Sequence, residues 1–263
     1  MSAVRIGAVG YLNARPLTWA LDRDPDRWCV RYDVPSTCSA RLLAGEVDLG
    51  LVPSIDFLQS PDYRLVPGVG VGSRGAVASV ALYTRQAVAD IRSVALDTSS
   101  RTSVALVQVL CRHSFRIAPR FVSHEPDLAA MTEGCDAALL IGDPAFDADH
   151  EALGLRKIDL GEAWTAMTGL PFIYAAWTGR PGAVSADDVR ALQEAQAEGV
   201  RDADAIAAEY GSGDSARTAR AAAYLRDNVK YGLGPREAAG LQLFLDHAAE
   251  LALGAGRRVL EFY

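Results

Sequence analysis

The sequence predicts a two-lobed α/β protein that closes a cleft around a small anionic metabolite, and three observations carry that expectation. Strand-like and helix-like segments alternate through roughly the first two-thirds of the 263 residues, which implies parallel or mixed sheets with helices on their faces. After about Arg180 the composition turns Ala-rich, charged and helix-periodic, so the last third is helical and must dock on a body already built. Polar residues gather directly behind several strand-like segments, at the edge where open α/β sheets bind ligands.

Each element has a local reason. Val4–Val9 is a short β-branched run stopped at Gly10, and Ala14–Leu21 carries Pro16 near its start, where a missing N–H does no harm to a helix. Val30–Val34 reads as a strand, with Ser36 as N-cap of a helix closed by Gly45. Val47–Val52 is a third strand, running into Pro53-Ser54. Val77–Tyr83 and Val94–Asp97 follow as strands, and Thr102–Phe115 shows a helical stripe of Val104, Val107, Cys111 and Phe115. Arg120–Val122, Leu128–Thr132 and Ala137–Ile141 continue the alternation, and Ile173–Trp177 is a late strand. Ser185–Tyr210, Ala216–Lys230 and Pro235–Leu253 are the closing helices, the last with Ala238, Leu241, Leu245, Ala248 and Ala252 on one face. Two separate βαβ systems imply two lobes, expected as 1–86 plus 180–263 and as 87–179.

Composition removes several classes of function. Half of the residues are hydrophobic, 22% are charged and the net charge is −7, an ordinary globular balance without the basic stripe that a nucleic-acid partner needs. Cys29, Cys38, Cys111 and Cys135 lack ligand-like pairing and read as small buried hydrophobes in a reducing compartment. His113, His124, His150 and His247 share no HxH or HExxH spacing, so a zinc site is not expected. The opening run Met1–Ile6 lacks a basic stretch followed by a long apolar one, and no segment reaches about 18 uninterrupted apolar residues. A cytoplasmic location without membrane contact is therefore expected.

Chemistry is sought at the strand ends. Five hydroxyl residues fall within Thr98–Ser103. One of them, Ser99 or Ser100, suffices to cap the helix, and hydroxyls with free N–H groups at a helix start also make a receptor for a carboxylate. Asn13 reads equally well as an Asx turn, and Asp143 before Pro144 as a helix cap. Gly68, Gly70, Gly72 and Gly75 lack the Lys-Ser/Thr of a phosphate loop, and Ser73-Arg74 reads as a surface turn. Trp164–Phe172 reads as packing around a turn at Gly169, with Trp164 as a further candidate for a cleft wall.

In this order, several runs resemble one family. They are Gly10-Tyr11-Leu12-Asn13-Ala14-Arg15-Pro16-Leu17, Gly45 to Ser54 (GEVDLGLVPS), Leu96 to Ser103 (LDTSSRTS), Leu139-Leu140-Ile141-Gly142-Asp143-Pro144, and Leu160 to Trp164 with Thr168 to Phe172. Together they resemble the menaquinone biosynthetic enzymes of the futalosine route, across about residues 4–178. The resemblance implies a periplasmic-binding-protein type II-like fold. One branch of the family makes a dihydroxynaphthoate and has a histidine after the strand matching Ala137–Ile141. Gly142-Asp143 stands there in this sequence, which points to the chorismate dehydratase branch.

That branch converts chorismate to 3-[(1-carboxyvinyl)oxy]benzoate and water, with no metal or organic cofactor. The resemblance then implies substrate contacts from Asn13, Ser54, Ser79, Ser99, Ser100, Arg101, Thr102, Ser103, Gly142 and Asp143. Asn13 and Asp143 are the candidate catalytic residues. Asp143, Asp97, His150 and the substrate's own enolpyruvyl carboxylate are candidate bases, and substrate assistance with Asn13 orienting the hydroxyl is the favoured arrangement. A dihydroxynaphthoate synthase, a transporter's solute-binding protein and a cytoplasmic ligand sensor are the competing readings.

Overall fold

The computed structural model describes residues 3–263; Met1 and Ser2, the start of the opening run, lie outside them. The first block holds β1 (Val4–Val9), α1 (Arg15–Thr18), β2 (Trp28–Asp33), α2 (Pro35–Ala44), β3 (Leu49–Pro53) and β4 (Arg64–Ser73). The second holds β5 (Val80–Thr84), β6 (Ser93–Asp97), α3 (Arg101–Leu110), β7 (Arg120–His124), α4 (Leu128–Gly134), β8 (Ala137–Ile141), α5 (Gly142–Asp147), β9 (Arg156–Asp159) and α6 (Leu160–Thr168). After them come β10 (Phe172–Gly179) and the helices α7 (Ala186–Arg201), α8 (Ala203–Gly211), α9 (Ser215–Ala223) and α10 (Pro235–Glu250).

Two mixed sheets share one plan. In the first, the order is β2-β1-β3-β10-β4, with β1 parallel to β2 and β3, and β10 antiparallel to both of its neighbours. In the second, the order is β7-β6-β8-β5-β9, with β6 parallel to β7 and β8, and β5 antiparallel to both of its neighbours. Each sheet thus takes its antiparallel strand directly after the chain arrives from the other sheet. The fold is a two-lobed α/β fold.

Sheet membership moves two strands across the boundaries expected from the sequence. Val80–Thr84 pairs in the second sheet and Phe172–Gly179 in the first, so the chain crosses at 74–79 and 169–171 rather than near 86 and 179. The first crossing is pinned by Asp159. Its carboxylate accepts from Val77 N at 3.0 Å, and also from Ala78 N, Gly161 N and Glu162 N at 2.6, 2.9 and 3.1 Å. Ala78 sits at φ 67, a left-handed conformation that costs an alanine roughly 1–2 kcal/mol and that these contacts enforce.

Several local expectations also change. The glycines at 68, 70 and 72 fall in the ten-residue strand β4, for which the sequence predicts no element, and Ser73 ends that strand instead of opening a surface turn. Pro35 takes the first position of α2, which leaves Ser36 inside the helix; Gly45 closes it at φ 74 as expected. The long helix expected over Ser185–Tyr210 breaks at Asp202, while Ser185 and Asp188 form a capping box at its start. Trp164 is fully buried, and its indole N–H donates to Pro171 O at 3.2 Å, so it packs in the core rather than walling the cleft. Among the described residues no helix is long and apolar enough to cross a membrane.

One apolar core runs through both lobes, from Ile6, Leu49 and Leu51 to Val94, Leu106 and Leu139; a smaller one holds Tyr83, Met131 and Leu140. Of the helices that end the chain, α7 packs on β4 and α10 on β10 of the first sheet, and Gly199 of α7 meets α1. A Cβ added at Gly199 would lie 2.0 Å from Pro16 O. Alanine normally stabilises a helix interior relative to glycine by about 1 kcal/mol. Here Gly199→Ala is expected to reverse that sign and destabilise the protein by about 1–3 kcal/mol, read as a lower midpoint in urea unfolding at unchanged slope.

Candidate active site

The carboxyl ends of the strands face one another across the lobes. Behind β1 the chain turns through the short 3-10 segment Leu12–Ala14, which brings Tyr11 and Asn13 to the cleft. Opposite them stand the start of α3, behind β6, and Gly142, behind β8. Between these rims lies a cavity lined by Tyr11, Asn13, Ser100, Ser103, Gly142 and Tyr174 among mostly apolar neighbours. Asn13 and Ser100, which come from different lobes, line the same cavity.

Helical phase decides which part of the Ser/Thr cluster reaches the cavity. Ser100 is the N-cap of α3, with its Oγ 3.5 Å from Ser103 N and accepting from the Ser103 hydroxyl at 3.3 Å. Residues three apart share a helix face, so Ser100 and Ser103 both line the cavity and the residues between them turn away. Thr102 Oγ1 accepts from Ile55 N at 3.1 Å. Arg101 leaves the cavity for an outer groove, where its Nε lies 3.2 Å from the buried carboxylate of Asp56. The expected contacts from Arg101 and Thr102 are therefore not part of the cavity wall. Ser99 Oγ is buried without a hydrogen-bond partner, and Ser99 O accepts from Ser36 N at 3.1 Å, joining the lobes.

Other expected residues support the cavity from behind its wall. Ser54 Oγ donates to Ile173 O at 2.7 Å, and Ser79 Oγ accepts from the Tyr224 hydroxyl at 2.6 Å. Neither lines the cavity. Asp143 Oδ1 accepts from Leu12 N at 3.0 Å and so grips the turn that carries Asn13 from the opposite lobe. Burial pushes its pKa up to about 6. Gly142, at φ 62, presents bare backbone to the Tyr11 ring; a Cβ there would lie 2.7 Å from two ring carbons. Gly142 N also donates to Ser79 O at 2.8 Å.

The wall is neutral in charge. Among the lining residues there is no carboxylate, imidazole, lysine or arginine, and Tyr11 and Tyr174 are the titratable ones. Burial raises the pKa of both phenols, that of Tyr174 well above its ordinary value. Asp97 is buried behind the wall, accepting from Ser99 N at 2.9 Å and Ile141 N at 3.3 Å; burial also raises its pKa. His150 lies beside the Tyr83 ring and outside the cavity lining. Arg15 pairs with Glu209 at 3.1 Å on the outer side. Sequence reasoning gave Tyr11 no role although it lies in the run that holds Asn13, and Tyr174 reaches the wall only because β10 crosses into the first sheet.

The comparisons with known proteins agree with this architecture. A family model described as menaquinone biosynthesis matches residues 4–250. A chorismate dehydratase of Thermus thermophilus is 35% identical over 216 residues, covering 74% of this chain and 77% of that protein. Among solved structures, a protein of Archaeoglobus fulgidus superposes with a TM-score of 0.76 at 18% identity, covering 96% of this chain and 98% of its own. The periplasmic aliphatic sulphonate binding protein of Escherichia coli superposes at 0.67 with 21% identity, covering 99% and 90%. At those identities the solved structures establish the periplasmic-binding-protein fold alone. With the family model spanning nearly the whole chain and the Thermus relative above 30% identity, this protein belongs to the menaquinone biosynthesis family.

Proposed function

We propose that this enzyme is a chorismate dehydratase, a hydro-lyase that removes water from chorismate to give 3-[(1-carboxyvinyl)oxy]benzoate. One observation carries the proposal: Asn13 from one lobe and Ser100 and Ser103 from the other converge on a single neutral cavity, in a chain 35% identical to a chorismate dehydratase. Chorismate brings two carboxylates. The start of α3, with its unpaired amides and the Ser100 and Ser103 hydroxyls, suits one of them. Asn13 suits the ring hydroxyl that leaves.

The elimination needs orientation more than it needs strong acids. A base takes the ring hydrogen next to the carbon bearing the hydroxyl, the C–H electron pair becomes the new ring double bond, and the C–O bond breaks. The proton and the departing hydroxide together make the water released. Aromatisation drives the step, so holding the reacting bonds in line supplies much of the acceleration. With no ionisable base other than two phenols of raised pKa in the wall, the substrate's enolpyruvyl carboxylate is the base, folded over the ring by the closed lobes. Asp143 positions the turn that carries Asn13 and does not take the proton.

Three outcomes test these assignments. Purified protein incubated with chorismate is expected to yield the aromatic enolpyruvyl ether; protection against unfolding without product would instead favour a non-catalytic binding protein. Asp143→Asn and His150→Ala are each expected to keep turnover within about tenfold, whereas a loss of about 10³-fold with substrate binding intact would identify that side chain as the base. The third outcome is a pH dependence. Raising the Asp143 pKa from 3.8 to about 6 corresponds to about 3 kcal/mol at roughly 1.4 kcal/mol per unit. The folded state holds this proton more tightly than the unfolded chain, so stability is lost as pH rises from about 4 to 6 and the cost stays constant above that. Asp143→Asn keeps an acceptor for Leu12 N and removes the charge. It is expected to match the parent near pH 4 and to gain up to about 3 kcal/mol on it by pH 7, read by urea unfolding at both values.

A further inference from the structure

Away from the cleft, the far end of α3 meets the end of α10. There α3 widens into a π turn, Cys111–Phe115, a distortion found frequently at functional sites. The turn carries His113 to His247 and Glu250 of α10, with the two imidazole rings 4.3 Å apart. One ligand atom from each of His113, His247 and Glu250 lies within 4.8 Å of the others. His247 Nδ1 and Glu250 Oε2 are 3.4 Å apart. His113 Nε2 is completely buried and has no hydrogen-bond partner, which costs stability unless something binds it.

We infer that His113, His247 and Glu250 form a binding site for a divalent transition metal of the zinc class, bridging the end of α3 to α10. Two imidazoles and one carboxylate are a donor set that suits zinc and its neighbours, whereas magnesium and calcium prefer all-oxygen cages. Zinc bonds of about 2.0–2.2 Å at tetrahedral angles hold donor atoms about 3.3–3.6 Å apart. The His247–Glu250 pair is already at that spacing, and the third donor lies within 4.8 Å of both. Arg257 grips the other carboxylate oxygen, Oε1, at 2.9 Å and leaves Oε2 turned toward His247. Glu250 is 43% exposed, so the fourth position opens to water. No histidine spacing motif announces this site, because His113 and the His247–Glu250 pair lie far apart in the sequence and meet only where the C-terminal ends of two helices pack together. The other end of α3 bears Ser100 and Ser103, so the metal would brace the helix that lines the cleft.

The test uses the full chain, stripped with a chelator and titrated with zinc chloride by calorimetry, with thermal unfolding as a second readout. One zinc per chain and a higher melting temperature are expected. His113→Gln, His247→Gln and Glu250→Gln should each weaken binding by at least about tenfold, while His124→Gln leaves it unchanged. Cobalt(II) in the unmodified protein should give the intense visible bands of a four-coordinate ion, a readout independent of whether the variants fold. Absence of saturable one-to-one binding, a weak six-coordinate cobalt spectrum, or zinc affinity unchanged in the histidine variants would overturn the site.

Discussion

Four backbone amides converge on the carboxylate of Asp159, and the relation between the lobes depends on that convergence. Two of them, from Val77 and Ala78, belong to the segment leaving the first sheet; two, from Gly161 and Glu162, open α6. Hydrogen bonds to a charged acceptor are stronger than neutral ones, and here they hold an alanine in a left-handed conformation. Lys157 Nζ donates to Ala78 O from the neighbouring strand. The path into β5 is therefore fixed on both sides, and with it the position of Ser79, whose carbonyl and hydroxyl are engaged by Gly142 and Tyr224.

The cavity that results is built from dipoles rather than ions. Its charged neighbours are all turned outward or engaged behind the wall, as Arg101 is with Asp56 and Asp143 with Leu12. A doubly anionic guest then meets oriented N–H and O–H groups whose geometry is set before it arrives. Such groups need little reorganisation as charge moves in the reaction.

Much of this was legible in the sequence because it is local. The strands β1, β2, β3, β6 and β8 show as β-branched runs, and Asn13, Ser100 and Ser103 stand directly behind two of them. What stayed hidden depends on distant pairing. The strand β4 looks like a glycine loop until β10 pairs with it, and β5 looks like part of the first lobe until β8 and β9 do. Arg101 and Thr102 belong to the hydroxyl-rich run that the sequence marks, but helical phase turns them away from the cleft, toward Asp56 and Ile55 of another element. Ser54 and Ser79 stand behind the wall for the same reason: Ile173 and Tyr224, which engage them, lie far along the chain.

The crossing pattern has a kinetic corollary. Every strand of the second sheet lies between residues 80 and 159, an unbroken stretch, whereas the first sheet keeps a gap between β3 and β4 until residues 172–179 have been made. During synthesis the later lobe can assemble as soon as its segment emerges from the ribosome, while the earlier one waits with two strand edges open. Unpaired edges are where chains associate wrongly. The vulnerable interval of this protein's biogenesis therefore belongs to the half that was translated first.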